Sequence, residues 1–462
     1  MKISITNFGP IKKFDYDLTK DIVVTFGDNN IGKSYAMQLV YLLLKNLTEI
    51  AEFGTSLHYK FRFLNHETEN FNNITESVQK FVKSNVTSMD ITDMINTAVE
   101  KNIADAFYAN FKNSCENTFG NFKGIVAKKP QISLYLDNLT FNLHLANENP
   151  VSAKIYSTPT FLKRTSSNFH KSRNANGRFD IYYYDDVDIP ASIIQDKINY
   201  LTRSFYSTIN YTVGNVYFLP ASRSGIYSGM SAFSSIVAEL SKNKAMLTRK
   251  IELPGLSEPI SDYFLMLSNI KGRENPDLSS VYKKIEESIL HGTVSFNRRR
   301  NTLVYTPEGV DYEFEMTEVS SMVSEISPIV AFFKYIISVA YRFKIKNIKP
   351  IVFIEEPEAH LHPKNQIKLI NLFAQLYKLG IKIVVSSHSN YIFNKLNNLL
   401  LKQEISPKTY SAILLTSGPD GSVSNFMAID EFGVDDTNFL DVTQDLYDER
   451  ETLIESWNNR CE

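Results

Sequence analysis

Cysteine is nearly missing from this chain. Only Cys115 and Cys461 occur in 462 residues, far apart and outside any spaced ligand pattern. That excludes a disulfide framework and a cysteine-based metal cluster, and it suits a reducing cytoplasm, which is the expected location. Long apolar runs are missing too. None reaches the ~18 residues that a membrane helix requires, so no membrane partner is expected. The first eight residues alternate, with Ile3 and Ile5 against Lys2, Ser4 and Thr6, which predicts a strand and no signal peptide. Nor is there an excess of charge of one sign. A net charge of −2 supplies no bulk attraction to nucleic acid or lipid and leaves only local patches for either. Sustained heptads, internal repeats and low-complexity tracts are also lacking, which excludes a long coiled-coil arm. What remains is an ordinary apolar share of 43% in a chain long enough for two or three compact units.

The most informative stretch is Val23-Val24-Thr25-Phe26-Gly27-Asp28-Asn29-Asn30-Ile31-Gly32-Lys33-Ser34. An apolar strand leads into a polar loop with glycine at both ends, and Lys33-Ser34 opens an amphipathic run to Asn46. This fits G-x-x-x-x-G-K-[ST] in the strand–loop–helix setting that the pattern requires. Gly27 and Gly32 let the loop through Asn29 and Asn30 turn its N–H groups around a phosphate. Lys33 brings a point charge to the outer phosphates, and the Ser34 hydroxyl can hold Mg²⁺. The loop predicts a nucleoside triphosphate site.

A second signal is the run Pro350-Ile351-Val352-Phe353-Ile354-Glu355-Glu356. A buried strand ends in adjacent acids only where a cation or a water needs them at its carboxyl end. Glu355 is therefore expected near Mg²⁺, with Glu356 orienting and deprotonating the attacking water. Pro357–Pro363 then turns into a helix over 364–379, and the strand 381–385 follows about thirty residues after the last, as a right-handed βαβ unit needs. It ends in Ser386-Ser387-His388-Ser389. A histidine at that strand end can reach a γ-phosphate. His360 and His362 fit no standard metal-ligand spacing.

Other stretches leave alternatives open. The pair Ser320-Ser321 precedes an apolar helix over 329–343, where hydroxyls and free N–H groups make either an anion site or an ordinary cap. Pro328 either sits in that helix's first turn or kinks it. Residues 150–179 carry six Lys or Arg and no acid, a solvated mobile loop or a docking patch for phosphate or a partner. Arg298-Arg299-Arg300 is a solvated turn or a phosphate contact. The strand 216–219 ends in Pro220-Ala221-Ser222-Arg223-Ser224-Gly225, either placed like the other strand ends that feed a nucleotide site or an ordinary loop with a solvated arginine. An acidic tail over 430–455 sets Leu446, Leu453 and Trp457 on one helix face, solvated or partner-docking. Periodicity divides the chain into an opening core with an edge strand (1–46), a helical insertion (47–129), a β-subdomain with core strand and basic loop (130–225), a second helical insertion (226–290), the rest of the core (291–430) and an acidic C-terminal helix (431–462).

In their order, the loop Gly27–Ser34, the pair Ser320-Ser321, the string Glu355-Glu356-Pro-Glu-Ala-His-Leu-His-Pro and Ser387-His388 resemble an ABC-type ATPase head of the RecF, SMC and OLD-nuclease group. The resemblance spans roughly 1–46, 210–225 and 290–430. It implies an α/β fold: a P-loop ATPase head with a mostly parallel core sheet, an antiparallel β-subdomain and helical insertions. It implies ATP with Mg²⁺ as cofactors, Lys33 and Ser34 on the phosphates and metal, and Glu355 in place of the usual metal-site aspartate. Glu356 would be the catalytic glutamate and His388 the switch histidine. Ser320 and Ser321 would be the signature that completes the site on a neighbouring subunit, in a head-to-head dimer or higher homo-oligomer. Met322 departs from the small residues usual there, and Ser222 and Arg223 occupy the slot of the Q-loop glutamine. The whole chain most resembles stand-alone ATPase subunits of antiphage systems of the Septu and PARIS kind, which implies a separately encoded nuclease or toxin effector as partner and a phage-derived trigger or nucleic acid. The competing expectation is a RecF-like repair ATPase that clamps DNA directly. A nuclease domain within the chain is not expected, because 73 residues follow Ser389 (462 minus 389).

Overall fold

The computed structural model describes residues 1–56, 69–84, 86–136, 139–147, 150–155, 158–165, 172–175, 178–183, 188–229, 256–338, 348–430, 433–434, 445–454 and 456–457. The main sheet takes β1 (Lys2–Phe8), β2 (Ile11–Asp17) and β3 (Ile22–Gly27) before the helix α1 (Lys33–Ser56). Further along come β4 (Gln131–Leu136), β5 (Leu139–His144), β6 (Val151–Ile155), helix α2 (Asp188–Thr212) and β7 (Val216–Leu219). The second half supplies α3 (Ser321–Ala331), β8 (Ile351–Glu355), α4 (Pro363–Lys378), β9 (Lys382–Ser386), α5 (Asn390–Leu401), β10 (Tyr410–Thr416) and β11 (Ser422–Phe426). The eleven strands lie in the order β7-β8-β9-β3-β10-β11-β2-β1-β4-β5-β6.

From β7 to β10 the pairing is parallel, and from β2 to β6 it is antiparallel. A parallel β11–β2 pair with an irregular register joins the halves. The sequence explains the division. β3 and β8 are buried at every position, because helices cover both faces of a parallel sheet. Val23 belongs to the core cluster that α1, α2 and the helix Thr92–Thr118 share, whereas Ile22, Val24 and Phe26 belong to the cluster built with α3, α4 and α5. The outer strands alternate, as the buried and half-exposed positions of β1 show.

Several boundaries differ from the sequence reading. β1 is an interior strand between β2 and β4, since β4–β6 extend the sheet beyond it. α1 runs ten residues past Asn46, held by Leu47 and Ala51 packing into the core. The described residues of the basic run 150–179 are largely strand: Thr160–Arg164 pairs with Ser88–Asp90 and with Arg178–Tyr183, and Lys163 meets Asp180 at 2.8 Å. A charged strand flanked by partners satisfies its backbone as a loop cannot. α3 begins at Ser321, eight residues ahead of the expected start, with Pro328 in its interior. Arg298–Arg300 form an exposed turn between the hairpin strands Gly292–Asn297 and Thr302–Pro307. The tail is helical at 445–454, with Leu446, Leu453 and Trp457 exposed. Cys115 is buried and free, while Cys461, most of the second insertion up to 255 and the helix expected beyond 338 lie outside the described residues.

Candidate nucleotide site

Three parallel strands, β8, β9 and β3, are neighbours, with Glu355 beside Ser386 and Ser386 beside Thr25. Their carboxyl ends therefore lie side by side, the usual position for a ligand in such a sheet. The loop after β3 depends on glycine where the backbone demands it. Gly27 has φ 142°, and a Cβ there would stand 2.4 Å from the Leu415 carbonyl oxygen of β10. Gly32 has φ 104° and lies against Pro10. Asn30 takes a left-handed φ of 61°, which asparagine tolerates better than most residues, and Asn29 and Asn30 are both exposed.

Lys33 is the first residue of α1 and only 6% exposed. Its ammonium donates to the carbonyl oxygens of Gly27 (2.9 Å) and Asp28 (2.6 Å) and lies 3.3 Å from His388 Nδ1. Burial lowers its pKa to about 8, against the attraction of Glu356, Asp28 and Glu358. Glu355 is 4% exposed. It accepts from the Ala221 N–H at 3.3 Å and the Gln38 amide at 3.4 Å, and the Ser34 side chain bonds to it as well. Burial nevertheless pushes it up to about 7.

Glu356 is the half-exposed member of the pair and has a left-handed φ of 41°. The turn is fixed by its N–H donating to Ser386 O at 3.0 Å. It brings the carboxylate to 3.6 Å from His388 Nε2. That imidazole holds Glu356 below the usual carboxylate range, helped by the charges of Lys33 and Arg223. His388 thus bridges lysine and glutamate. Glu358 places it: one carboxylate oxygen accepts from the His388 N–H at 2.7 Å and the Ser387 hydroxyl at 2.8 Å. Burial raises the Glu358 pKa.

The structure therefore brings Gly27–Ser34, Glu355, Glu356 and His388 together. Ser320 and Ser321 stand apart from them. Ser320 caps α3, accepting from the Val323 N–H at 3.4 Å, and among the described residues no hydrogen bond ties either serine to the loop. His362 likewise caps α4. Arg223, a Q-loop candidate, is a fully buried residue rather than a group facing a ligand. Gln38, one turn into α1, is the glutamine that touches Glu355. Sequence reasoning missed Gln38, Glu358 and Glu325. For Glu325 a signal existed, since one acid inside an apolar helical run needs a buried partner.

Residues 1–393 match the family described as an AAA ATPase domain. No curated protein matches the chain. Among solved structures, the chain is similar to an Smc head bound to the C-winged helix domain of ScpA (12% identity, 93% of this chain and 98% of that one, TM-score 0.38). It is also similar to the SMC head domain from Thermotoga maritima (8%, 93% and 98%, 0.35). A third is an Smc head domain with an extended coiled coil bound to the C-terminal domain of ScpA derived from Pyrococcus furiosus (12%, 97% and 98%, 0.33). A family match running from the first strand through the phosphate loop and the paired-carboxylate strand to His388 makes this chain a member of the AAA ATPase domain family.

Proposed function

We propose that the chain binds ATP with Mg²⁺ at Gly27–Ser34, hydrolyses it with Glu356 as general base, and uses the cycle to control a separately encoded nuclease or toxin effector in antiphage defence. The observation that carries the catalytic part is the convergence of Lys33, Glu355, Glu356 and His388 at three adjacent strand ends. The donor set suits Mg²⁺, since the Ser34 hydroxyl and the buried Glu355 carboxylate are hard oxygen ligands. Bound there, the metal would neutralise charge on the phosphates. Lys33 gives up its two carbonyl contacts for a phosphate oxygen, and the N–H groups of the glycine loop take the others. Glu356, kept ionised by His388, accepts the proton of the attacking water. His388 is positioned by Glu358 to hold Glu356 on one side and to meet the phosphate tail on the other.

Support for protein partners lies in the near-neutral charge and in the exposed apolar side chains of the acidic helix at 445–454. The test is to purify the chain alone and with the product of its neighbouring gene, then to assay ATP turnover and cleavage of DNA and RNA. Turnover by the parent, with cleavage or toxicity only alongside the partner, is the expected result. Metal-dependent cleavage by the lone chain, retained in Glu356→Gln, would overturn the effector reading. Tight DNA binding that follows ATP occupancy would replace it with a DNA clamp.

A further inference from the structure

Arg223 and Glu325 are both charged and both buried (0% and 1% exposed), and Arg223 meets Glu355 and Glu356 through their backbone carbonyls rather than their carboxylates. Each is saturated with bonds that cross between elements. The Arg223 guanidinium donates from Nη1 to Pro220 O (3.1 Å) and Glu355 O (2.9 Å), from Nη2 to Glu356 O (3.3 Å) and from Nε to Glu325 O (3.2 Å). In return, the Glu325 carboxylate accepts the Arg223 N–H (3.0 Å), the Ser224 N–H (3.1 Å) and the Ser224 hydroxyl (2.7 Å). Those two N–H groups open the helical turn at 223–229, where an anion is favoured. A third element joins through Tyr263, whose hydroxyl donates to Arg223 O at 3.2 Å. Its helix, Glu258–Ser268, is tied to α1 by Lys45 and Tyr41 on Asp262.

We infer that Arg223 and Glu325 form a positioning pair that sets the geometry of Glu356 and couples it to the helix starting at Ser321. The reasoning is geometric. Glu356 sits in a left-handed conformation that a side chain adopts only when neighbours over-determine it. Its N–H is fixed by Ser386, and its carbonyl by Arg223. The same guanidinium holds the carbonyl of Glu355, so one planar fork registers both peptides that aim the two carboxylates. Glu325 fixes the fork from α3, one turn beyond Ser320 and Ser321, so a shift of that helix moves Arg223 and with it the Glu356 peptide. Lysine cannot replace the arginine here, because a single ammonium cannot span Pro220, Glu355, Glu356 and Glu325.

This inference rests on the catalytic reading of Glu356, and the experiment separates the two. Arg223→Lys and Glu325→Gln are compared with the parent in the full chain by urea unfolding, fluorescent-ATP binding and single-turnover hydrolysis. In both variants, folded at the assay temperature, ATP affinity stays within about threefold while the hydrolysis rate falls about 10–100-fold, the scale of a misplaced reacting group. A fold defect alone would lower the bindable fraction and the turnover together. If either variant fails to fold, Ser224→Ala, which removes only one hydroxyl from Glu325, is measured in the same way and shows the same split to a smaller degree. Parental single-turnover rates in folded variants overturn the positioning role. A parent that hydrolyses no ATP, or whose rate survives Glu356→Gln, overturns the catalytic reading instead.

Discussion

Lys33 offers a test in which stability and binding move in opposite directions. Its ammonium is buried and its pKa falls from 10.5 to about 8. At about 1.4 kcal/mol per unit of pKa, the charged form carries a penalty on the order of 3 kcal/mol in the folded protein. Against that stand its two bonds to Gly27 O and Asp28 O, each worth about 1 kcal/mol. Lys33→Met keeps the aliphatic stem and removes the charge, so without nucleotide it should stabilise the chain by about 1 kcal/mol near pH 7. The sign reverses with pH. Below about 8 the lysine is protonated whether folded or unfolded and the penalty is complete. Between about 8 and 10.5 only the unfolded chain keeps the proton, so the parent gains stability as pH rises. The advantage of Lys33→Met should therefore shrink by about 2 kcal/mol between about pH 7 and pH 9.5. Urea midpoints at the two pH values read this directly. ATP with Mg²⁺ at 100 times its Kd should add about 2.7 kcal/mol to the parent and nothing to the variant. Equal destabilisation at both pH values, or ATP protection of the variant, would refute the reasoning.

Three further outcomes follow from the same site. Glu356→Gln should retain ATP binding and lose turnover by about 10²–10⁴-fold, read in a phosphate-release assay; a parental rate would move the base to Glu355 or Glu358. Gly27→Ala should cost about 1–3 kcal/mol, because the new methyl would meet Leu415 O at 2.4 Å, and a urea midpoint equal to the parent's would contradict the loop geometry. Lys33→Ala subunits mixed with subunits altered at both Ser320 and Ser321 should recover part of the lost ATPase rate, since in a head-to-head dimer one composite site collects both lesions. No recovery, with a monomer by light scattering in ATP, would remove the expectation of a shared site.

Much of the site was legible in the sequence because its chemistry is concentrated at strand ends. A buried run that stops in Glu355-Glu356, or in a glycine followed by Lys33-Ser34, breaks local pattern so sharply that only a ligand explains it. What stayed hidden depends on long-range pairing. Nothing within Lys2–Phe8 indicates that strands from 131 onward will add beyond it, so an interior strand read as an edge. The basic run 150–179 looks like loop because its neutralising partner Asp180 and the strand Ser88–Asp90 lie outside it. Arg223 looks solvated for the same reason, since three of its four carbonyl acceptors come from Glu325, Glu355 and Glu356, more than a hundred residues away.

The position of β3 also governs how the chain is made. Its two sheet partners are β9 and β10, so Ile22 pairs with Ile383 and Tyr410 and with nothing closer in sequence. At about 5–20 residues per second, a ribosome needs about 20–70 s to carry the chain from the phosphate-loop strand to those partners. During that interval a largely apolar strand has both edges open, the condition that favours pairing with other chains. β1 and β2 can close as a hairpin early, whereas the nucleotide pocket cannot close before the chain through His388 has emerged. Slow translation or a holding chaperone over that window should therefore affect the yield of folded protein more than any substitution on the exposed surface.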